Sequence, residues 1–158
     1  MSSGIPAGDR ARRRATTAIK DALRALSIQL SLLNHRVGAQ LELKDADFDC
    51  LDLVSRHGPL SPTALARRSG LHPATMTGIL DRLERGGWVA RDRDPADRRA
   101  VVIRALQDRA PEIFQLFSGM NGKMDELCSG YDEAQLELLA DFLRRAAEAG
   151  RDATEDLR

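Results

Sequence analysis

A chain of 158 residues can bury a sizeable core as one domain, or as one domain with an assembly element. Aromatic residues make up only 4% of it and charged residues 30%, and the dominant types favour helix, which sets a mainly α fold class. No stretch of about 18 apolar residues is present, so no spanning helix and no membrane partner are expected.

The formal net charge is zero, but it is unevenly spread. Residues 1–55 carry 8 basic and 7 acidic side chains, residues 56–104 carry 10 and 5, and residues 105–158 carry 6 and 12. A basic middle and an acidic end suit a protein that offers one surface to a polyanion and turns another away. The start, MSSGIPAGDRARRR, has no apolar region behind its arginines, which argues against secretion. Cys50 and Cys128 lie far apart without metal-ligand spacing. A reducing cytoplasm fits them, and neither a metal nor a cofactor is expected.

Residues 1–16 read as a flexible basic segment. From 17 to 43, Ile19, Leu23, Leu26, Leu30, Leu33 and Val37 step by four and three, a heptad-like stripe on a long helix widened by Ile28, Leu32 and Ala39. A second helix over 45–56 turns Phe48, Leu51 and Val54 inward and stops at Gly58-Pro59. Ser61 caps a short third helix with Pro62 at its first position, and Ser69-Gly70 closes it. Pro73 opens a fourth helix that packs through Met76, Ile79, Leu80 and Leu83 and ends at Gly86-Gly87 with positive φ.

Two short apolar runs, 88–90 and 100–103, then flank a polar tip, 91–99, with four arginines and three aspartates around Pro95. This reads as a β-hairpin. Asp108 caps a fifth helix striped by Ile113, Phe117, Met120, Met124 and Leu127. After Ser129-Gly130, Asp132 and Gln135 form a capping box for a sixth, whose inner face is Leu136, Leu139, Phe142 and Leu143. Residues 151–158 read as a frayed tail. One compact lobe would struggle to cover the outer stripes, so a second copy is expected against them.

Two short helices joined by a turn containing Gly are a common DNA-reading unit. Ala66, Gly70, Met76 and Ile79 carry the small residue, the turn and the inner face that its packing demands. With Met76 at the centre of the buried face, a helical wheel puts Ala74, Gly78, Asp81 and Arg85 opposite, flanked by Thr75, Thr77 and Arg82. Small groups permit close approach to a major groove, and threonine can touch thymine methyls or bond bases and phosphates. Gly78 costs roughly 1 kcal/mol of helix stability relative to Ala; close approach to a duplex and a crowded backbone contact inside the protein both account for it. Asp81 is expected to pair with Arg85 or to orient Arg82. The arginine-tipped hairpin then reads as a wing over the adjoining minor groove, with Asp97 accepting from the Arg99 guanidinium.

These features together resemble the MarR (multiple-antibiotic-resistance) family of transcriptional regulators over residues 17–147, most specifically in ILDRLERGGWVARDRDPADRRAVVI, residues 79–103. Asp81, Leu83, Glu84, Gly87, Val89, Arg91, Asp97, Arg98 and Arg99 carry that resemblance. It implies a winged helix-turn-helix homodimer on a pseudo-palindromic double-stranded DNA operator. Residues 44–106 would read DNA, 17–43 and 107–150 would dimerise, and Arg99, held by Asp97, would enter the minor groove. The family often opens the helix after the wing with Leu-Thr and then Gly, where this chain has Ala105-Leu106 and Arg109. Many members carry Arg where Gly78 stands, which leaves base reading to Thr75, Thr77 and Arg82.

The resemblance also implies a repressor released by a small aromatic or anionic effector held in a cleft between the DNA-reading and dimerising parts. His35, Arg36, Phe48 and Cys50 are candidates by position. A peroxide-sensing branch uses a cysteine nearer the start than any here, and Asp47, Asp49 and Asp52 around Cys50 would dull a thiolate. His35, His57 and His72 fall in different elements, and neither a phosphate loop nor a catalytic carboxylate pair occurs, so no enzyme is expected. The alternative is a winged-helix module that contacts protein or RNA without operator specificity.

Overall fold

The structure is a computed structural model and describes residues 7–157. Six helices and one hairpin follow in the order α1 (Ala7–Gln40), α2 (Asp45–His57), α3 (Pro62–Ser69), α4 (Pro73–Arg85), β1 (Val89–Arg93), β2 (Val101–Ala105), α5 (Ala110–Cys128) and α6 (Glu133–Asp156). The chain divides into two compact units, the first ending at Glu42 and the second beginning at Leu43.

The first unit contains α1, 34 residues or about 50 Å of helix at 1.5 Å per residue. The helix begins ten residues earlier than the apolar stripe suggests. Residues 7–16 hold no proline and their one glycine, Gly8, sits in the first turn, where Asp9 is favoured, and Thr16 and Thr17 donate back to the Arg12 and Arg13 carbonyls. The segment read as flexible is therefore helical from Ala7, and residues 1–6 lie outside the described part. Ile19, Leu26, Ile28, Leu30 and Leu32 are exposed along α1.

In the second unit α2, α3 and α4 close around one core of Phe48, Leu51, Val54, Leu65, Met76, Ile79, Leu80 and Leu83, joined by Trp88, Val89 and Ile103 from the hairpin. α2 ends at Gly58, whose backbone is extended (φ −72°, ψ 168°) ahead of Pro59 and not left-handed, and a Cβ there would collide with the Val54 carbonyl oxygen that its N–H bonds. Ser61 caps α3 by accepting from the Ala64 N–H at 3.1 Å, and Gly70 turns the chain with φ of 71°.

The hairpin is antiparallel, with Val89 opposite Ala105, Arg91 opposite Ile103 and Arg93 opposite Val101. Pairing runs three residues further along the first strand than the apolar run suggests, so the true tip is 94–100. On the other edge of β2, Ile103 exchanges both main-chain bonds with Leu60, at 3.0 and 2.7 Å.

α5 starts at Ala110 with Arg109 in the cap position, without a side-chain cap; Asp108 does not serve there. α6 carries the expected box, in which Asp132 accepts from the Gln135 N–H at 2.8 Å and Gln135 accepts from the Asp132 N–H at 3.0 Å. The helix runs through Gly150 to Asp156 instead of fraying, and Thr154 donates to the Gly150 carbonyl at 2.9 Å. Neither α5 nor α6 has a buried residue: Phe114 and Leu138 are each 69% exposed, and Leu127, Phe142 and Leu143 are open as well.

Candidate nucleic-acid interface

α4 presents two different sides. Met76, Ile79, Leu80 and Leu83 are buried, whereas Ala74, Thr75, Thr77 and Arg85 are exposed and Gly78 and Arg82 are half-buried. His72 starts the helix, its Nδ1 accepting from the Ala74 N–H at 3.2 Å. Among the described residues neither the Thr75 nor the Thr77 hydroxyl is engaged. A Cβ at Gly78 would meet only Arg82 Nη1, at 3.5 Å, an ordinary van der Waals contact, so nothing inside the protein crowds it. Of the two explanations for this glycine, internal crowding is removed.

Arg82 is not a free reader. Its Nε and Nη2 donate to the two carboxylate oxygens of Asp47, each at 2.7 Å, and Asp47 is buried at 2% exposure. This planar two-bond pair ties α4 to α2, and the carboxylate raises the guanidinium's pKa further. Asp47 shares the inward face with Leu51 and Val54. An acid on an apolar face needs a cation, and that was the available sequence signal for it.

Asp81 also departs from expectation. Its carboxylate accepts from Arg91 Nη2 at 2.6 Å, and Glu84 accepts from Nη1 of the same guanidinium. Arg85 reaches only the Asp81 main-chain oxygen, at 3.4 Å. Arg91 stands in β1, so this three-residue cluster fastens the base of the hairpin to the outer side of α4. Across the strands, Arg104 donates to Asp92 at 2.7 Å.

The tip is ordered by its own aspartates. Asp94 accepts from the Ala96 N–H at 2.8 Å, and Asp97 accepts from the Arg99 N–H at 3.0 Å. The Asp97 carboxylate therefore shapes the main chain of the turn instead of gripping the Arg99 guanidinium. Arg98 and Arg99 are exposed, and neither has a carboxylate partner among the described residues. Their positive charge is open to an incoming anion.

A helix with free hydroxyls at its start, braced from behind and flanked by an arginine-tipped hairpin, is the geometry to set against known proteins. The MarR family profile matches residues 43–101. The chain is 36% identical over 129 residues to the uncharacterized HTH-type transcriptional regulator YcgE of Bacillus subtilis, covering 81% of this chain and 84% of that one. The chain belongs to the MarR family.

A second relative of the MarR-family chain is the HTH-type transcriptional repressor YetL of Bacillus subtilis, 32% identical over 103 residues, or 64% of this chain and 62% of that protein. Among solved structures, that of MarR itself superposes with a TM-score of 0.53 at 26% identity, covering 84% of this chain and 96% of that one. A mutant form of MepR from a multidrug-resistant S. aureus clinical isolate shares the fold with a TM-score of 0.71 at 17% identity, over 83% and 96% of the two chains. This MarR-family protein is thus a DNA-binding helix-turn-helix transcriptional regulator with a winged fold, not an enzyme. No described helix is long and apolar enough to cross a membrane, and among the described residues no His, Cys, Asp and Glu group could hold a metal ion.

The effector candidates of this MarR-family regulator separate. His35 and Arg36 are exposed on α1. Phe48 and Cys50 are sealed in the core of the second unit, Phe48 stacking on Phe117 of α5 with ring centroids 6.4 Å apart. Both are buried in this core and so act there as packing residues. Burial and the neighbouring Asp49 and Asp47 push the Cys50 thiol up to about 11, against a weaker opposing bond to Ser69. Trp88 and Arg109 were not singled out as interacting in the sequence; the Arg109 guanidinium lies 3.8 Å from the Trp88 ring centroid.

Proposed function

We propose that this MarR-family regulator is a homodimeric repressor that reads a pseudo-palindromic operator in the cytoplasm and is released by a small aromatic or anionic ligand. Ala74, Thr75, Thr77, Gly78 and Arg85 face the major groove. Arg98 and Arg99 reach the adjoining minor groove on a turn shaped by Asp97. Arg82 acts from behind, by holding α4 on Asp47.

The observation that carries this reading is the pair of open arginines, Arg98 and Arg99, on a hairpin whose base is fastened to α4 by Arg91. A narrow minor groove concentrates negative potential, and a planar guanidinium enters it well. Dimerisation is supported by the open apolar side chains of α1 and, separately, of α5 and α6, which water-exposed monomers rarely tolerate in such numbers. Residues 44–106 then form the reading part and 17–43 with 107–150 the assembling part. Repression is supported by the description of YetL as a repressor. Ligand release rests on the resemblance alone, with His35 and Arg36, exposed on α1, as the candidates by position.

A mobility shift with the DNA upstream of its own gene, repeated at several salt concentrations, tests the reading. A reading dimer gives a steep salt dependence plus a preference that survives against scrambled duplex. Equal affinity for both duplexes refutes it and favours a protein- or RNA-binding module. Thr77→Ala is expected to relax discrimination at one base step of each half-site; uniform weakening would make Thr77 a phosphate contact.

A further inference from the structure

Arg109 lies between the DNA-reading part and the rest of α5, and its guanidinium is engaged on three sides. Nη1 donates to the Gly86 carbonyl at 2.8 Å, at the last turn of α4. The plane lies over the Trp88 ring, whose residue is buried at 2% exposure. Nε and Nη2 donate to the two carboxylate oxygens of Glu112 at 2.8 Å each, in the first turn of α5. One side chain therefore joins the end of the reading helix, the root of the hairpin and the start of α5.

The junction it grips has little slack. Gly87 has φ of 73°, and a Cβ at Gly86 would strike the Trp88 ring at 2.7 Å. One α5 turn after another leads from there to Phe117, which stacks on Phe48 of α2. Phe48 adjoins Asp47, the anchor of Arg82 on α4. α5 thus meets the reading part at two separated points, and α2 and α4 are themselves locked together. Tilting α5 relative to α4 requires one of these contacts to open.

We infer that Arg109 is a positioning residue that sets the angle between α5 and the reading helix, and so determines which half-site spacing the dimer accepts. The inference rests on the operator-reading dimer proposed above. In such a dimer the two reading helices must fall about 34 Å apart, one helical turn of DNA. Each added base pair moves a half-site by about 3.4 Å and rotates it around the duplex, so a small change of angle decides between spacings. Arginine suits the task because its flat fork can stack and form paired bonds at once, which a lysine ammonium cannot.

The test uses a duplex selected by the native protein from a random-sequence pool, and versions with one base pair added to or removed from its centre. Arg109→Ala and Arg109→Lys are each expected to cut the preference for the selected spacing by roughly threefold to tenfold, while affinity for an isolated half-site stays unchanged. Glu112→Gln, an exposed and milder change, is expected to shift it in the same direction by less. Trp88 is the only tryptophan, so its emission should change in both Arg109 variants as the guanidinium leaves the ring. A spacing preference that Arg109→Ala retains, or an unaltered Trp88 emission, overturns the inference alone. A native protein with no sequence preference in the selection refutes the operator reading first, and this with it.

Discussion

The carboxylate of Asp47 and the guanidinium of Arg82 meet in two parallel bonds of 2.7 Å, one partner buried in α2 and the other at the edge of α4. The orientation of the reading helix is therefore set by a charge pair as well as by apolar packing. Removing the cation leaves a buried carboxylate unpaired, whereas neutralising the acid leaves an arginine that water still reaches. Arg82→Met is thus expected to cost about 2–3 kcal/mol and Asp47→Asn about 1 kcal/mol, measured by urea unfolding. A loss near zero at Arg82→Met would show that the pair does not brace α4, and a larger loss at Asp47→Asn would contradict the cost assigned to the unpaired acid.

Gly78→Ala is expected to raise stability by about 0.5–1 kcal/mol, since the site is helical and a methyl there makes only an ordinary contact, 3.5 Å from Arg82 Nη1. On the proposed major-groove contact the same change should weaken operator binding, because the methyl intrudes on that face. Unfolding curves and mobility shifts on one preparation check both halves. A destabilised variant, or one with native affinity, contradicts the assignment.

Arg99→Ala is expected to lower operator affinity at least about tenfold without altering the protein's sedimentation. Asp97→Ala should cost less, because it loosens the turn but leaves the guanidinium in place. A larger effect at Asp97 than at Arg99 would mean that the turn, and not the arginine, makes the contact.

The cysteines give a chemical check on the core. Cys50 is fully buried and Cys128 half-buried, so Ellman's reagent at pH 8 should titrate Cys128 in the folded protein and Cys50 only after unfolding. The folded Cys50 thiol holds its proton up to about 11, against 9.0 for an ordinary thiol. The folded state therefore binds more protons than the unfolded state within that interval. Its contribution is complete below pH 9 and declines as pH rises through the window, which unfolding curves recorded across it will reveal.

Much of the fold was legible because it depends on local chemistry. Ser61, Pro62, Gly70, Asp132 and Gln135 act through neighbours within a few residues, and the inner face of α4 follows from helical periodicity. Long-range partners were harder. Arg82 and Asp47 are 35 positions apart, and Arg109 and Gly86 are 23 apart, so spacing alone could not join them. Asp81 was expected to choose a helical neighbour, yet the hairpin register brought Arg91 closer. Limits set by helix breakers also misled: Gly150 has the low propensity that suggests an end, but one glycine costs too little to stop a helix whose other residues favour it.

Leu60 immediately precedes the cap of α3 and is stitched to the middle of β2. The hairpin base is consequently seamed on one side to the entrance of the reading unit and on the other to α4 through Arg91. The seven residues beyond that seam, 94–100, bond among themselves, through Asp94, Asp97 and Ala100. A tip that is held from its base in this way is a natural unit to exchange, and on the proposed minor-groove contact, grafting the tip of another regulator onto this base is expected to alter operator choice.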